Sequence, residues 1–301
     1  MSSDEPTDVW SDQSSDLSSV ESSDRSARPR AGDSVLLVVH VYPHLLGTYG
    51  DAGNALVLHQ RATARGIHAE IVAVHPGEPL PRTGDVYLLG GGEDAKQTAA
   101  AQELREDGGL VVAADRGSAI VGICAGYQLL GETFLGVGGV EAPGLGLLDV
   151  RTGRLERRAV GNVLADPVPE LGVPALVGFE NHGGATHLGP GASPLGRVRI
   201  GVGNGDGGDE GAFAGAVYGT YLHGPALALN PALADRVLGH AVGDLPAIDD
   251  SLVDDLRRHR LEEVLPATAR AGRRRSLIGT LLRGEAAPSG ATASLSGQRS
   301  A

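Results

Sequence analysis

Short apolar runs alternate with amphipathic stretches through the middle of this chain. Val35-Leu36-Leu37-Val38-Val39, Ile71-Val72-Ala73-Val74, Val86-Tyr87-Leu88-Leu89 and Ile120-Val121-Gly122-Ile123 lack the polar alternation of a half-exposed strand. They read as strands buried on both faces. Between them, Ala55 to Arg65, closed by Gly66, and Ala95 to Asp107, closed by Gly108-Gly109, carry helical spacing. Leu110 to Ala113 reads as another apolar run. Strands alternating with helices predict a mainly parallel sheet with helices on both faces. From Leu145 to about Ile200, short strands broken by Gly and Pro predict a β-rich excursion beside that sheet. Ala216 to Leu222 is a last strand, Pro231 to Val242 a following helix, and Asp250 to Leu265 a charged helix.

Composition divides the chain into three parts. Residues 1–33 are acidic and rich in serine, with almost no apolar periodicity, and are expected to be a disordered tail. Residues 34–245 form the predicted domain. Residues 246–301 hold the charged helix and then a basic, low-complexity tail. A net charge of −12 makes nucleic acid or an anionic membrane a poor partner. The N-terminus has no apolar signal region, and no apolar stretch approaches the roughly 20 residues that span a bilayer. One cysteine forbids an internal disulfide and suits a reducing compartment. The expectation is a soluble, cytoplasmic protein that is not an integral membrane protein.

That cysteine, Cys124, sits in Gly122-Ile123-Cys124-Ala125-Gly126-Tyr127-Gln128, directly after an apolar run. Strand, tight turn and helix in that order make a nucleophile elbow, with small neighbours where the backbone turns sharply. A helix N-terminus beside the sulfur favours thiolate. Cys124 alone reads either as a nucleophile or as a small buried hydrophobe. Two further features follow strands, where open α/β sheets bind ligands. Gly90-Gly91-Gly92 follows Leu89, and the N–H of Gly91 or Gly92, with that of Ala125, suits an oxyanion. His223 follows Tyr218 to Leu222 and suits the base that a thiol needs near neutral pH. A glycine triplet can be a simple turn and a histidine a structural residue. All three at strand ends of one α/β pattern point to acyl transfer through sulfur. No cysteine–histidine cluster has metal-ligand spacing and no Gly-Lys-Ser/Thr phosphate loop occurs, so neither metal nor nucleotide is expected in this chain.

These residues resemble the class I glutamine amidotransferases, in the branch related to cobyric acid synthase. The motifs that carry the likeness are Gly122 to Gln128, Leu89-Gly90-Gly91-Gly92-Glu93-Asp94 and Tyr221-Leu222-His223-Gly224-Pro225. Within that branch, His40 to Pro43, Thr48 to Asn54, Pro143 to Asp149, Arg158 to Asn162 and Gly178-Phe179-Glu180-Asn181-His182-Gly183-Gly184 are similar to glutaminase subunits of lipid II isoglutaminyl synthase. The resemblance implies a flavodoxin-like α/β fold and a Cys124 thioester formed from glutamine, with His223 shuttling protons. It also implies a heterodimer with a Mur-ligase-like synthetase. That partner, holding ATP and Mg, would amidate the D-glutamate α-carboxylate of the peptidoglycan precursor.

Arg158 is implied as a substrate-binding residue, and a guanidinium fork suits a free amino acid's carboxylate. Gln128 is placed to hydrogen-bond substrate. Asn181 and His182 are expected on a loop facing the pocket, His182 being the rival base. Many class I amidotransferases carry a carboxylate two residues after the histidine; here that position is Pro225. The expectation is therefore a Cys–His dyad with no local third member: either another residue substitutes or the partner supplies a carboxylate, the latter being the favoured reading. Cobyrinate-type amidation, a non-catalytic scaffold subunit and another thiol hydrolase are the alternatives.

Overall fold

A computed structural model of the chain describes residues 35–47, 51–205 and 208–265. The expected tails at 1–33 and beyond Arg270, and residues 48–50 of the first loop, lie outside the described residues. The elements run β1 (Leu36–Val41), α1 (Ala52–Thr63), β2 (Ala69–Val74), β3 (Val86–Leu89), α2 (Asp94–Asp107), α3 (Gly109–Asp115), β4 (Ala119–Ile123) and α4 (Ala125–Leu130). Then come β5 (Thr133–Leu135), β6 (Glu141–Pro143), β7 (Val150–Pro167), β8 (Leu176–Leu188), β9 (Gly196–Ile200), β10 (Asp209–Glu210), β11 (Ala212–Ala214) and β12 (Val217–Thr220). Helices α5 (Ala226–Leu229), α6 (Pro231–Val242) and α7 (Ser251–Val264) close the described chain.

The first sheet has the order β11-β12-β4-β3-β1-β2, parallel throughout except for β11. Every residue of β3, β4 and β12 is buried, as their unbroken apolar runs require. Successive strands lie on opposite sides of β1, so the carboxyl ends of β1 and β3 flank the crevice where such folds hold ligands. The expected excursion is a second sheet, β10-β9-β7-β5-β6, with β8 paired to β7. Arg61 ties α1 to α6 and to the residue before α7, through Asp235 at 2.6 Å and Asp250 at 2.7 Å.

Two expectations change. Leu110 to Ala113 belongs to helix α3, because Leu110 and Ala113 are buried three apart while Val111 and Val112 face outward. Gly108, at φ +67, ends α2 and lets a second helix restart at once. The charged helix assigned outside the domain packs onto it. Leu261, Val264 and Leu265 of the α7 end join Leu164, Ala175 and Val177 in a small second core. Buried Arg257 donates to the carbonyls of Leu229 and Ala175. Burying a leucine such as Leu261 stabilises by about 1.5–3 kcal/mol, so the folded unit runs past 245 to residue 265.

Candidate functional site

Cys124 is 8% exposed and one of two described non-glycine residues with positive φ, at φ 53 and ψ −103. Such backbone costs on the order of 1–3 kcal/mol and persists only where neighbours hold it. They do so here. A Cβ on Gly122 would meet the Gly126 backbone at 2.6 Å, and one on Gly126 would meet the Leu89 carbonyl at 2.4 Å. The Cys124 N–H donates to the Thr220 carbonyl at 2.8 Å, which pins the elbow to β12. The glycines on either side of the cysteine are thus a steric requirement of the turn.

His223 leaves the end of β12 and is 2% exposed. Its backbone exchanges two hydrogen bonds with Phe179 of β8, at 2.8 and 3.3 Å. Its Nδ1 lies 3.3 Å from Asp51 Oδ1. Burial works against the charged imidazolium. Hydrogen bonds to Asp51 and Cys124, with their charges, outweigh burial and raise the His223 pKa to about 9.

Asp51 bears on the expectation built on Pro225. A carboxylate facing Nδ1 is present in this chain, in the loop before α1, which is the open alternative of a substituting residue. Asp51 occupies the N-cap of α1, where an aspartate ordinarily bonds its own helix, yet makes no side-chain cap there. Its two oxygens go instead to His223 and to the Gly91 N–H, the latter at 2.7 Å. Pro225 packs over the same turn: a Cβ on Gly53 would lie 2.3 Å from its Cγ. The sequence signal for Asp51 was an acid between two glycines after β1, but nothing local paired it with His223.

The glycine triplet is equally constrained. A Cβ on Gly90 would sit 2.1 Å from the Leu46 carbonyl, and one on Gly92 2.8 Å from that of Leu45. A Cβ on Gly91 would stand 3.1 Å from Asp51 Oδ2, 3.2 Å from His223 Cε1 and 3.6 Å from Cys124 Cβ. Because the Gly91 N–H is committed to Asp51, the expectation that it serves an oxyanion is corrected. Gly92 and Ala125 border the cleft and keep that candidacy.

A cleft of about 180 Å³ opens beside Cys124, and Arg158, Asn181, His182 and Gln128 all border it. Arg158 gets there through an interruption in the β7–β8 ladder. Arg154 pairs with Gly184 and Ala159 with His182, so residues 155 to 158 are opposed by Gly183 alone. Asn181 holds the displaced side chain, accepting from Arg158 Nε at 2.7 Å on Oδ1 and from a terminal nitrogen at 3.0 Å on its carbonyl. Arg154 borders the cleft as well, whereas Arg157 lines the neighbouring surface depression.

Gln128 is built into the wall. Its Oε1 accepts from Gln97 at 2.8 Å and its Nε2 donates to the Tyr221 hydroxyl at 3.2 Å. The Tyr221 hydroxyl also bonds Thr186 at 2.7 Å, and Thr186 bonds Thr152 at 2.8 Å. Gln97 and these threonines had no sequence motif to mark them, and Tyr221 lay in the motif around His223 without a role of its own. His182 is 1% exposed and stacks on Tyr221 with ring centroids 3.7 Å apart. Its ring nitrogens face the Gly184 carbonyl at 3.0 Å and Glu180 at 3.3 Å. His182 thus braces the cleft wall with both ring nitrogens occupied, whereas His223 is the histidine hydrogen-bonded toward Cys124.

Among the described residues no helix is long and apolar enough to cross a membrane, and no group of three His, Cys, Asp or Glu side chains could hold a metal ion. The family described as the CobB/CobQ-like glutamine amidotransferase domain matches residues 37–231. A Staphylococcus aureus protein named lipid II isoglutaminyl synthase (glutamine-hydrolyzing) subunit GatD is 36% identical over 209 residues, spanning 68% of this chain and 84% of the relative. The Streptococcus pneumoniae protein of the same name is 33% identical over 235 residues, or 73% of this chain and 88% of the relative. A cobyric acid synthase from Sphingopyxis alaskensis is 36% identical over 183 residues, but only 34% of its own length is covered.

Proposed function

This chain belongs to the CobB/CobQ-like glutamine amidotransferase family and is a glutamine amidotransferase, and we propose that it is the glutamine-hydrolysing subunit of a lipid II isoglutaminyl synthase. The observation that carries the chemistry is the buried line from Asp51 to His223 to the Cys124 elbow, opening on a cleft bordered by Arg158. The assignment to lipid II is supported by two relatives of that name, whose lengths are largely covered by this chain.

In this reading Arg158 holds the α-carboxylate of glutamine and Asn181 sets the guanidinium plane. The Cys124 thiolate adds to the side-chain amide carbon, and the N–H groups of Gly92 and Ala125 receive the oxyanion. The His223 imidazolium gives its proton to the departing nitrogen. The C–N bond breaks, ammonia leaves and a γ-glutamyl thioester remains. Neutral His223 then takes a proton from water as the water oxygen adds to the thioester carbon. The C–S bond breaks, releasing glutamate and restoring the thiolate–imidazolium pair. Asp51 keeps Nδ1 protonated so that Nε2 performs both transfers.

The ammonia passes to a Mur-ligase-like partner, which carries ATP and Mg²⁺ and amidates the D-glutamate α-carboxylate, in the cytoplasm where that precursor is built. The test is to purify the chain with a co-expressed Mur-ligase-like protein from the same cell. Stable association and glutamine- and ATP-dependent amidation of lipid II are expected. Glutaminase activity without association, or association without amidation, would remove the lipid II assignment.

A further inference from the structure

A second carboxyl is buried beneath this site and takes no part in the steps above. Glu210, on β10, has no solvent-exposed surface. Its Oε1 accepts a hydrogen bond from the Thr220 hydroxyl and another from the Tyr221 N–H at 3.0 Å. These are the residues at which β12 stops and the chain turns toward His223. The Thr220 hydroxyl oxygen also accepts from the Leu222 N–H at 3.0 Å. The Thr220 carbonyl is the group that receives the Cys124 N–H. One bond from Glu210 therefore leads to the residue that pins the nucleophile. The other leads to the tyrosine that braces Gln128 and His182, two positions before the base.

We propose that Glu210 is a positioning residue for both Cys124 and His223, clamping the Thr220–Tyr221 corner from which the two are hung. The proposal rests on the amidotransferase reading for the roles of that pair. After Thr220 the backbone leaves the parallel ladder, so its N–H groups need acceptors from elsewhere, and β10 is only two residues long. Without Glu210, a hydroxyl and an amide would be stranded in the interior without their acceptor. The corner would relax to find other partners, and displacements of about 1 Å in a reacting pair can cost 10²-fold in rate.

The charge state of Glu210 fits a clamp that works without a full charge. Burial raises its pKa most, the bonds from Thr220 and Tyr221 lower it, Glu180 of β8 raises it and His223 lowers it, to about 7. Tyr127 of α4 is the other titratable group facing it. A glutamine preserves the Oε1 acceptor, whereas an alanine removes it.

Because Cys124 is the sole cysteine, the rate of iodoacetamide alkylation of the full chain reports on that sulfur alone. Alkylation against pH, with glutaminase kcat and KM alongside, would be compared for Glu210→Ala, Glu210→Gln and Thr220→Val. Glu210→Ala and Thr220→Val are expected to lower kcat about tenfold, with KM within about twofold, and to shift the alkylation profile. Glu210→Gln should restore both nearly to the parent values. A Glu210→Ala alkylation profile that overlays the parent, or a Glu210→Gln variant as impaired as Glu210→Ala, would overturn the proposal. If Glu210→Ala does not fold, an unchanged Thr220→Val profile overturns it instead. Alkylation needs no glutamine, so variant-sensitive alkylation in a chain without glutaminase activity would sink the functional reading and keep the clamp.

Discussion

Asp51 and His223 meet at 3.3 Å although 172 positions separate them in the chain. The contact joins the loop after β1 to the segment after β12, across the two strands, β3 and β4, that carry the glycine triplet and the cysteine. Replacing Asp51 by Asn keeps the shape but favours the wrong tautomer of His223. A loss of about 10²-fold or more in kcat is expected, with KM for glutamine little changed. The measurement should be made with and without the partner subunit. Full activity of Asp51→Asn in the complex would return the third member to the partner.

On the proposed reading, Arg158 recognises glutamine and Asn181 orients the guanidinium. Arg158→Ala is expected to raise KM for glutamine about tenfold or more while kcat stays within a few-fold, since it removes binding shared by ground and transition states. Asn181→Ala should raise KM less, because the guanidinium remains but loses two fixed bonds. Arg158→Lys should not rescue, as an ammonium lacks the planar fork. Steady-state glutaminase assays decide it, and an unaltered KM in Arg158→Ala would move that residue out of the site.

His182 and His223 should separate cleanly on mutation. Ammonia release is expected to vanish in His223→Ala and in Cys124→Ala. His182→Ala should retain turnover within about tenfold but lose about 1–3 kcal/mol of stability, from the lost bond to Glu180, the unpaired Gly184 carbonyl and the lost ring stack. Chemical denaturation beside an ammonia assay distinguishes the two, and a dead but fully stable His182→Ala would reverse the assignment.

Stability should fall with rising pH in two windows of different origin. His223 binds its proton more tightly folded, with its pKa raised from 6.5 to about 9, so its contribution is complete below 6.5 and is lost as pH climbs through about 9. Glu210 likewise holds its proton more tightly folded, raised from 4.5 to about 7, and its contribution fades between those values. Unfolding free energies measured across pH 4 to 10 should lose the upper slope in His223→Gln and the lower slope in Glu210→Gln. A slope unaffected by its own substitution would show that the proton resides elsewhere.

Gly91→Ala tests how closely the reacting groups are packed. The added methyl would press within 3.1–3.2 Å of Asp51 and His223. A folded protein with kcat lowered about 10–100-fold is expected, read by circular dichroism and glutaminase assay together. Undiminished turnover would mean the loop shifts freely.

What the sequence revealed depended on how local each feature is. The Cys124 elbow was legible because Gly122, Cys124 and Gly126 share one turn whose sterics are written in consecutive residues. The parallel sheet was legible from unbroken apolar runs such as Val86 to Leu89. Asp51 was not, because its role is fixed only when β1 and β12 are placed in one sheet. Leu110 to Ala113 misled because four apolar residues fit a buried strand or a short helix equally well, and only burial three apart resolves them. Glu210 lay among glycines with no motif around it, and its burial follows from the second sheet folding against the first.

The skipped register at residues 155 to 158 has a consequence for how such a protein can change. A segment opposed by a single glycine lies outside the ladder, so residues can be added or removed there without sliding β7 along β8 or altering which face any neighbour presents. Cys124, His223 and Asp51 hang from the other sheet and would not register the alteration. On the proposed reading, carboxylate recognition and the reacting pair thereby sit on separate parts, and the length and side chains of this one segment can vary while the Cys124–His223 pair keeps its supports.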